Sequence, residues 1–235
     1  MNEITDKVRR ELREASDEKT RESGLRYFKE DVNLYGIRSK TVKEIAQANF
    51  ALVKHRSKQE IFSLCDSLWQ SGMMEETFVA CLWSGRLAGK FVPEDFKVLE
   101  RWVHKYVNNW ASCDTLCNHS VGDFIQMYPG FISELKRWAV SDNRWTRRAS
   151  AVSLIIPARR GKFLPDIFEI AEILLRDKDD MVQKGYGWML KEASKPSQKE
   201  VFDFVMKYKA VMPRTALRYA IEKMPAGLRA RAMEK

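Results

Sequence analysis

Two stretches of this 235-residue chain can be written one above the other at an offset of 36: SDNRWTRRASAVSL starts at 141 and DKDDMVQKGYGWML at 177. Each opens on a polar cap containing acidic residues, continues with a bulky apolar residue, and then sets a basic residue before a small one. Arg148-Ala149 lies over Lys184-Gly185. A looser third copy begins near Pro213, PRTALRYAIEKM. Self-similarity at this period restricts the fold to units that bury their apolar faces on their neighbours. The units are helical. Phe96, Leu99, Val103 and Tyr106 form one stripe at helical spacing, and Trp145, Ala149, Val152 and Ile156 form another. IFSLCDSLWQ, TFVACLWSGRLAG, PDIFEIAEILLRD and KEVFDFVMKYK behave in the same way. The seven prolines fall between or at the ends of these segments, where helices tolerate them. No alternating stretch bounded by turn signals reads as a strand. The predicted class is all-α.

Paired helices at this spacing predict a helical-hairpin solenoid of the HEAT type, spanning 1–235 as a single domain. The second helices of successive units would line a concave surface. An irregular helical bundle with chance similarity is the bland alternative. With 45% hydrophobic and 31% charged residues, the chain is too apolar for a disordered protein. Its apolar runs, such as AVSLII at 151–156, are far short of a membrane helix. The start, MNEITDKVRRELREAS, has helical charge patterning and lacks the apolar core of a signal peptide. No membrane association and a cytoplasmic location are therefore expected. Cys65, Cys81, Cys113 and Cys117 are not spaced as a disulfide framework. A helix would bring Cys113 and Cys117 together, but His119, two residues on, projects about 160° away from Cys117, and no second ligand pair is evident. Packed, reduced thiols and no metal or cofactor are the expectation.

The net charge of +9 and a pI near 9.4 favour a polyanionic partner, nucleic acid before an acidic membrane surface.

The segment most informative for chemistry is NNWASCDTLCNHSVGDF, 108–124. On a helix, Trp110, Asp114, Cys117 and Val121 share a face, which sets a carboxylate inside a largely apolar stripe. An ionised carboxylate there needs a cation or several hydrogen-bond donors. Arg148, four residues after Arg144 and one repeat later, is the candidate cation. A guanidinium can hold a carboxylate through two parallel hydrogen bonds. A further repeat on, KGYGWMLKE puts Lys184, Trp188 and Lys191 on one face. Indole faces attract cations, and a carboxylate both stabilises positive charge developing on a sugar and orients a water. A cationic alkylated purine in DNA calls on both properties, because cutting its N-glycosidic bond leaves an oxocarbenium-like sugar.

At these residues the chain resembles the DNA alkylation repair enzyme family, the AlkD-type alkylpurine DNA glycosylases built from HEAT-like repeats. GLRYFKEDVNLYGIRSKTVKEI (24–45), NNWASCD, SDNRWTRRAS and KGYGWMLKEAS carry the likeness, in the family's order and with similar gaps. The resemblance implies a C-shaped helical domain that grips duplex DNA in a concave basic groove. It implies hydrolytic removal of 3-methyladenine and 7-methylguanine type bases by a monofunctional enzyme, with no cofactor or metal. It further implies that the lesion stays outside any base-flipping pocket, while the two indoles contact deoxyribose and stacked duplex. Carried over residue by residue, Asp114 stabilises the sugar cation and positions water, and Arg148 orients Asp114 or holds a nearby phosphate. Trp110 and Trp188 contact the damaged nucleotide, with Tyr27 in support. Lys29, Arg147, Lys184, Lys191, Arg214 and Arg218 are candidate phosphate contacts. A monomer suffices for such a grip, and association with the nucleoid would follow from DNA binding. The competing expectations are a non-catalytic HEAT-like module that binds branched or damaged DNA, and a solenoid that binds an acidic protein.

Overall fold

The computed structural model describes residues 3–234, so Met1, Asn2 and Lys235 of the expected 1–235 domain lie outside the described residues. It is all-α. No strand forms among the described residues, and the only β-type pairing they contain is an isolated bridge between Asn33 and Met73. None of the helices is long and apolar enough to cross a membrane. The described residues divide into two compact units, with the boundary between Leu116 and Cys117.

The first unit contains α1 (Glu3–Glu14), α2 (Glu18–Leu25), α3 (Ser39–Val53), α4 (Lys58–Gln70), α5 (Met74–Arg86), α6 (Phe96–Tyr106) and α7 (Trp110–Leu116). In α6 the predicted stripe is the buried one: Phe96, Leu99 and Val103 are in the core and Tyr106 is half-buried. α5 packs on α3, α4 and α7, and its Trp83 is wholly buried. That indole donates to the Ala46 carbonyl of α3 at 2.8 Å, as a buried N–H requires.

The second unit contains α8 (Gly122–Met127), α9 (Ile132–Trp138), α10 (Arg144–Val152), α11 (Ile155–Arg159), α12 (Leu164–Ile173), α13 (Asp180–Ala193), α14 (Gln198–Tyr208), α15 (Arg214–Ile221) and α16 (Ala226–Met233). Here the repeat is visible as packing. α9 pairs with α10, α12 with α13 and α14 with α15, while α10, α13 and α15 stack in one row. The helix starts keep the sequence offset. Asn143 accepts from Trp145 N at 2.8 Å, and Asp179, 36 residues on, accepts from Met181 N at 2.9 Å. One predicted stripe is interrupted. Trp145, Ala149 and Val152 are buried on α10, but the helix ends at Val152 and the half-buried Ile156 belongs to α11.

Candidate active site

In the first unit, α7 begins at Trp110 because Asn109 caps it. The Asn109 Oδ1 accepts from Ser112 N at 2.9 Å, and the Asn109 carbonyl accepts from Cys113 N at 3.1 Å. Asn108 in turn accepts from the Asn109 side-chain amide at 2.8 Å, which supplies a physical reason for the Asn-Asn pair. Trp110 is half-buried. Its indole stacks on Phe28, with ring centroids 5.4 Å apart and planes 18° from parallel. Its Nε1 donates to the Tyr27 carbonyl at 3.3 Å. Tyr27 itself presents its ring to solvent, 73% exposed. Asp114, one helical turn beyond Trp110, is half-buried.

The expected apolar stripe is therefore corrected. Trp110, Asp114, Cys117 and Val121 do not share one buried face: the last two are wholly buried, the first two only partly. The fully buried line runs through Cys113, Leu116, Cys117, Val121 and Phe124. The reason is the turn type. Residues Cys117–Val121 form a π-helical turn, so the regular α-helical spacing fails after Leu116. Asp114 sits at the rim of the buried line, where solvent lowers the cost of its charge. Cys113 and Cys117 are buried, and His119 is exposed.

In the second unit, Arg148 on α10 is buried, at 4% exposure. Its Nη1 donates to the Met181 carbonyl in the first turn of α13. Gly185 provides the room: a Cβ there would stand 3.2 Å from Arg148 Cγ and 3.5 Å from Nη1. Arg148 therefore meets α13 at the small residue that the following repeat supplies. On α13, Lys184, Trp188 and Lys191 are half-buried between buried neighbours, consistent with the single face read from their spacing.

The candidate phosphate contacts differ in what already holds them. Arg147 is clamped: its Nε is 2.6 Å from Asp177, and its Nη1 donates to the carbonyls of Ser141 at 2.8 Å and Asp142 at 2.9 Å. Lys184 pairs with Asp180 at 2.6 Å. Lys191 pairs with Glu222 at 3.0 Å and lies over the Tyr219 ring. Lys29, in the first unit, is exposed. So are Arg214 and Arg218, which lie one turn apart on α15.

Three residues at these positions were not singled out from sequence: Phe28, which seats Trp110; Asn109, which starts its helix; and Gly185, which admits Arg148. Asn109 carried a signal, an Asn three residues before Ser112 at a helix start. Phe28 carried none beyond being aromatic, since its partner lies far along the chain.

The sequence pattern of the DNA alkylation repair enzyme family matches residues 8–224. The fold is similar to a solved structure described as a predicted DNA alkylation repair enzyme from Enterococcus faecalis, with a TM-score of 0.81 at 15% identity. That likeness covers 90% of this chain and 97% of the other. No curated protein matches the chain. Because the family pattern spans both units and nearly the whole length, the chain belongs to the DNA alkylation repair enzyme family.

Proposed function

We propose that this protein is a monofunctional DNA glycosylase that hydrolyses the N-glycosidic bond of cationic alkylated purines, of the 3-methyladenine and 7-methylguanine type, in duplex DNA. The whole chain, 1–235, acts as one DNA-binding and excising domain, as a monomer and without a cofactor. The observation that carries this reading is the Trp110–Asp114 pair: a half-buried indole, braced by Phe28, one turn from a half-buried carboxylate. The indole face favours a cation by about 0.5–2 kcal/mol, depending on desolvation. Asp114 stabilises the sugar as the bond to the cationic base lengthens, then orients the water that attacks the anomeric carbon. The departing base carries the bonding pair and leaves neutral, and the water's proton is lost to solvent or to Asp114. Arg148, immobilised on Gly185, offers a guanidinium to a strand phosphate. Trp188 supplies the second indole against the damaged nucleotide, and Tyr27 supports the first. Lys29, Arg214 and Arg218 contact phosphates, with Arg147, Lys184 and Lys191 near the backbone.

The decisive experiment measures release of 7-methylguanine from methylated duplex DNA by the wild type and by Asp114→Asn. The wild type is expected to release the base, and the variant to lose most of that activity while still binding duplex. Equal release by both would remove Asp114 from the mechanism. Binding without release by either would favour a non-catalytic DNA-binding module.

A further inference from the structure

Glu75 is a buried carboxylate of the first unit, tied to backbone through both of its oxygens, and nothing in the proposed chemistry uses it. It lies in the first turn of α5 at 3% exposure. Its Oε1 accepts from Gly36 N at 2.9 Å and Ile37 N at 3.2 Å, and its Oε2 from Tyr35 N at 3.0 Å. Three successive backbone N–H groups thus converge on one side chain. Beside it, Glu76 accepts the Tyr35 hydroxyl at 2.7 Å and Arg9 Nε at 2.9 Å. Burial, reinforced by that bond to Glu76, pushes the Tyr35 phenol up to about 12.

The turn held in this way carries α2. The Gly36 carbonyl accepts from Asp17 N at 3.1 Å, and Asp17 is the N-cap of α2. Gly36 has φ +86°, and a Cβ there would meet the Asp17 carbonyl at 2.5 Å, so only glycine allows the approach. At the other end of α2, Leu34 packs so closely on Gly24 that an added Cβ would stand 2.9 Å from its Cδ1. Tyr27 and Phe28 follow directly from α2, and they are the two residues that hold the Trp110 indole. This seat borders an open cleft of about 230 Å³, lined by Phe28, Leu34, Gly36, Glu75, Phe78 and Trp110 among others. With an open cleft beside it, the seat is held by the hydrogen-bonded turn as well as by packing.

We propose that Glu75 is a positioning residue for Trp110: its carboxylate anchors the 35–37 turn, and through α2 it sets the Tyr27–Phe28 seat of the indole. Its catalytic consequence rests on the glycosylase reading, but the seating itself does not. The test is Glu75→Gln, which keeps the shape but turns an –NH2 towards backbone N–H donors. Trp110 emission is isolated by subtracting the spectrum of Trp110→Phe in each background. A red shift of that difference spectrum is expected in Glu75→Gln. A smaller one is expected in Leu34→Ala, which loosens the same seat without touching the carboxylate and stands in if Glu75→Gln does not fold. Single-turnover excision should fall about tenfold to a hundredfold, the scale of an ångström misplacement, with duplex affinity within twofold of wild type. Lys58→Met, which breaks the part-buried Lys58–Asp95 pair elsewhere in the unit, should leave both the spectrum and the rate unchanged. An unshifted Trp110 spectrum in the variants that fold would overturn the proposal. If the wild type excised nothing, the spectra would still decide the seating, and the glycosylase reading alone would fail.

Discussion

Arg148 rests on Gly185, its Cγ 3.2 Å from where a Cβ would stand, and its Nη1 reaches the Met181 carbonyl one turn earlier on the same helix. A methyl at position 185 has two opposed effects. It raises helix propensity by about 1 kcal/mol over glycine. It also crowds a buried guanidinium, at a cost of about 1–3 kcal/mol. Gly185→Ala should therefore change the unfolding midpoint little, yet displace Arg148 and lower excision of 7-methylguanine. Gly185→Val should lose both stability and activity. Full activity in the alanine variant would show that the placement of Arg148 is unimportant.

Asn109 caps the helix that carries both Trp110 and Asp114. Asn109→Ala should cost about 1 kcal/mol, read by chemical denaturation. Asn109→Asp should retain the stability, since aspartate caps equally well and its charge suits a helix N-terminus. Equal stability of the alanine and aspartate variants would argue against the cap.

The basic residues divide by what holds them. Arg147 is clamped by Asp177 and two carbonyls, so Arg147→Ala should lose about 1–3 kcal/mol of stability and leave the salt dependence of DNA binding almost unchanged. Arg214 and Arg218 are exposed on α15. Substituting either by alanine should move stability by no more than about 0.5 kcal/mol and reduce the slope of log K against log salt by about 1. Titrations of duplex affinity against salt separate the two groups, and a reduced slope for Arg147→Ala would reverse the assignment.

Acid should weaken the second unit through Glu192. Burial pushes this carboxyl up, but the hydrogen bonds and charges of Arg159 and Lys195 together outweigh it, and its pKa ends below the ordinary value of 4.5. A carboxylate with a lowered folded pKa contributes stability that is present above its unfolded value and lost as pH falls through the folded one. Stability should therefore drop as the pH is taken below about 4.5, and Arg159→Leu should flatten that drop. An unchanged acid limb in the variant would exclude Glu192 as its source.

The family motifs and the helix repeat were legible because they are local. A cap and the apolar spacing after it lie within a few residues, so the starts at Asn143 and Asp179 and the stripe of α6 could be read directly. The π-helical turn after Leu116 was not legible. Trp110, Asp114, Cys117 and Val121 fit regular helical spacing on paper, and only packing decides that the backbone widens there.

By itself, the sequence determined that this chain is helical, that two of its helices follow polar caps 36 residues apart, and that a tryptophan and an aspartate stand one turn apart on another. Tertiary structure alone decided that Phe28 braces that tryptophan, that Glu75 holds the turn behind it, that Arg148 is buried on Gly185, and that Arg147 is clamped while Arg214 is exposed. The physical reason is range. Helix propensity and capping act between near neighbours in the chain, whereas stacking, carboxylate clamps and ion pairs join residues whose separation in sequence carries no record of their distance in space.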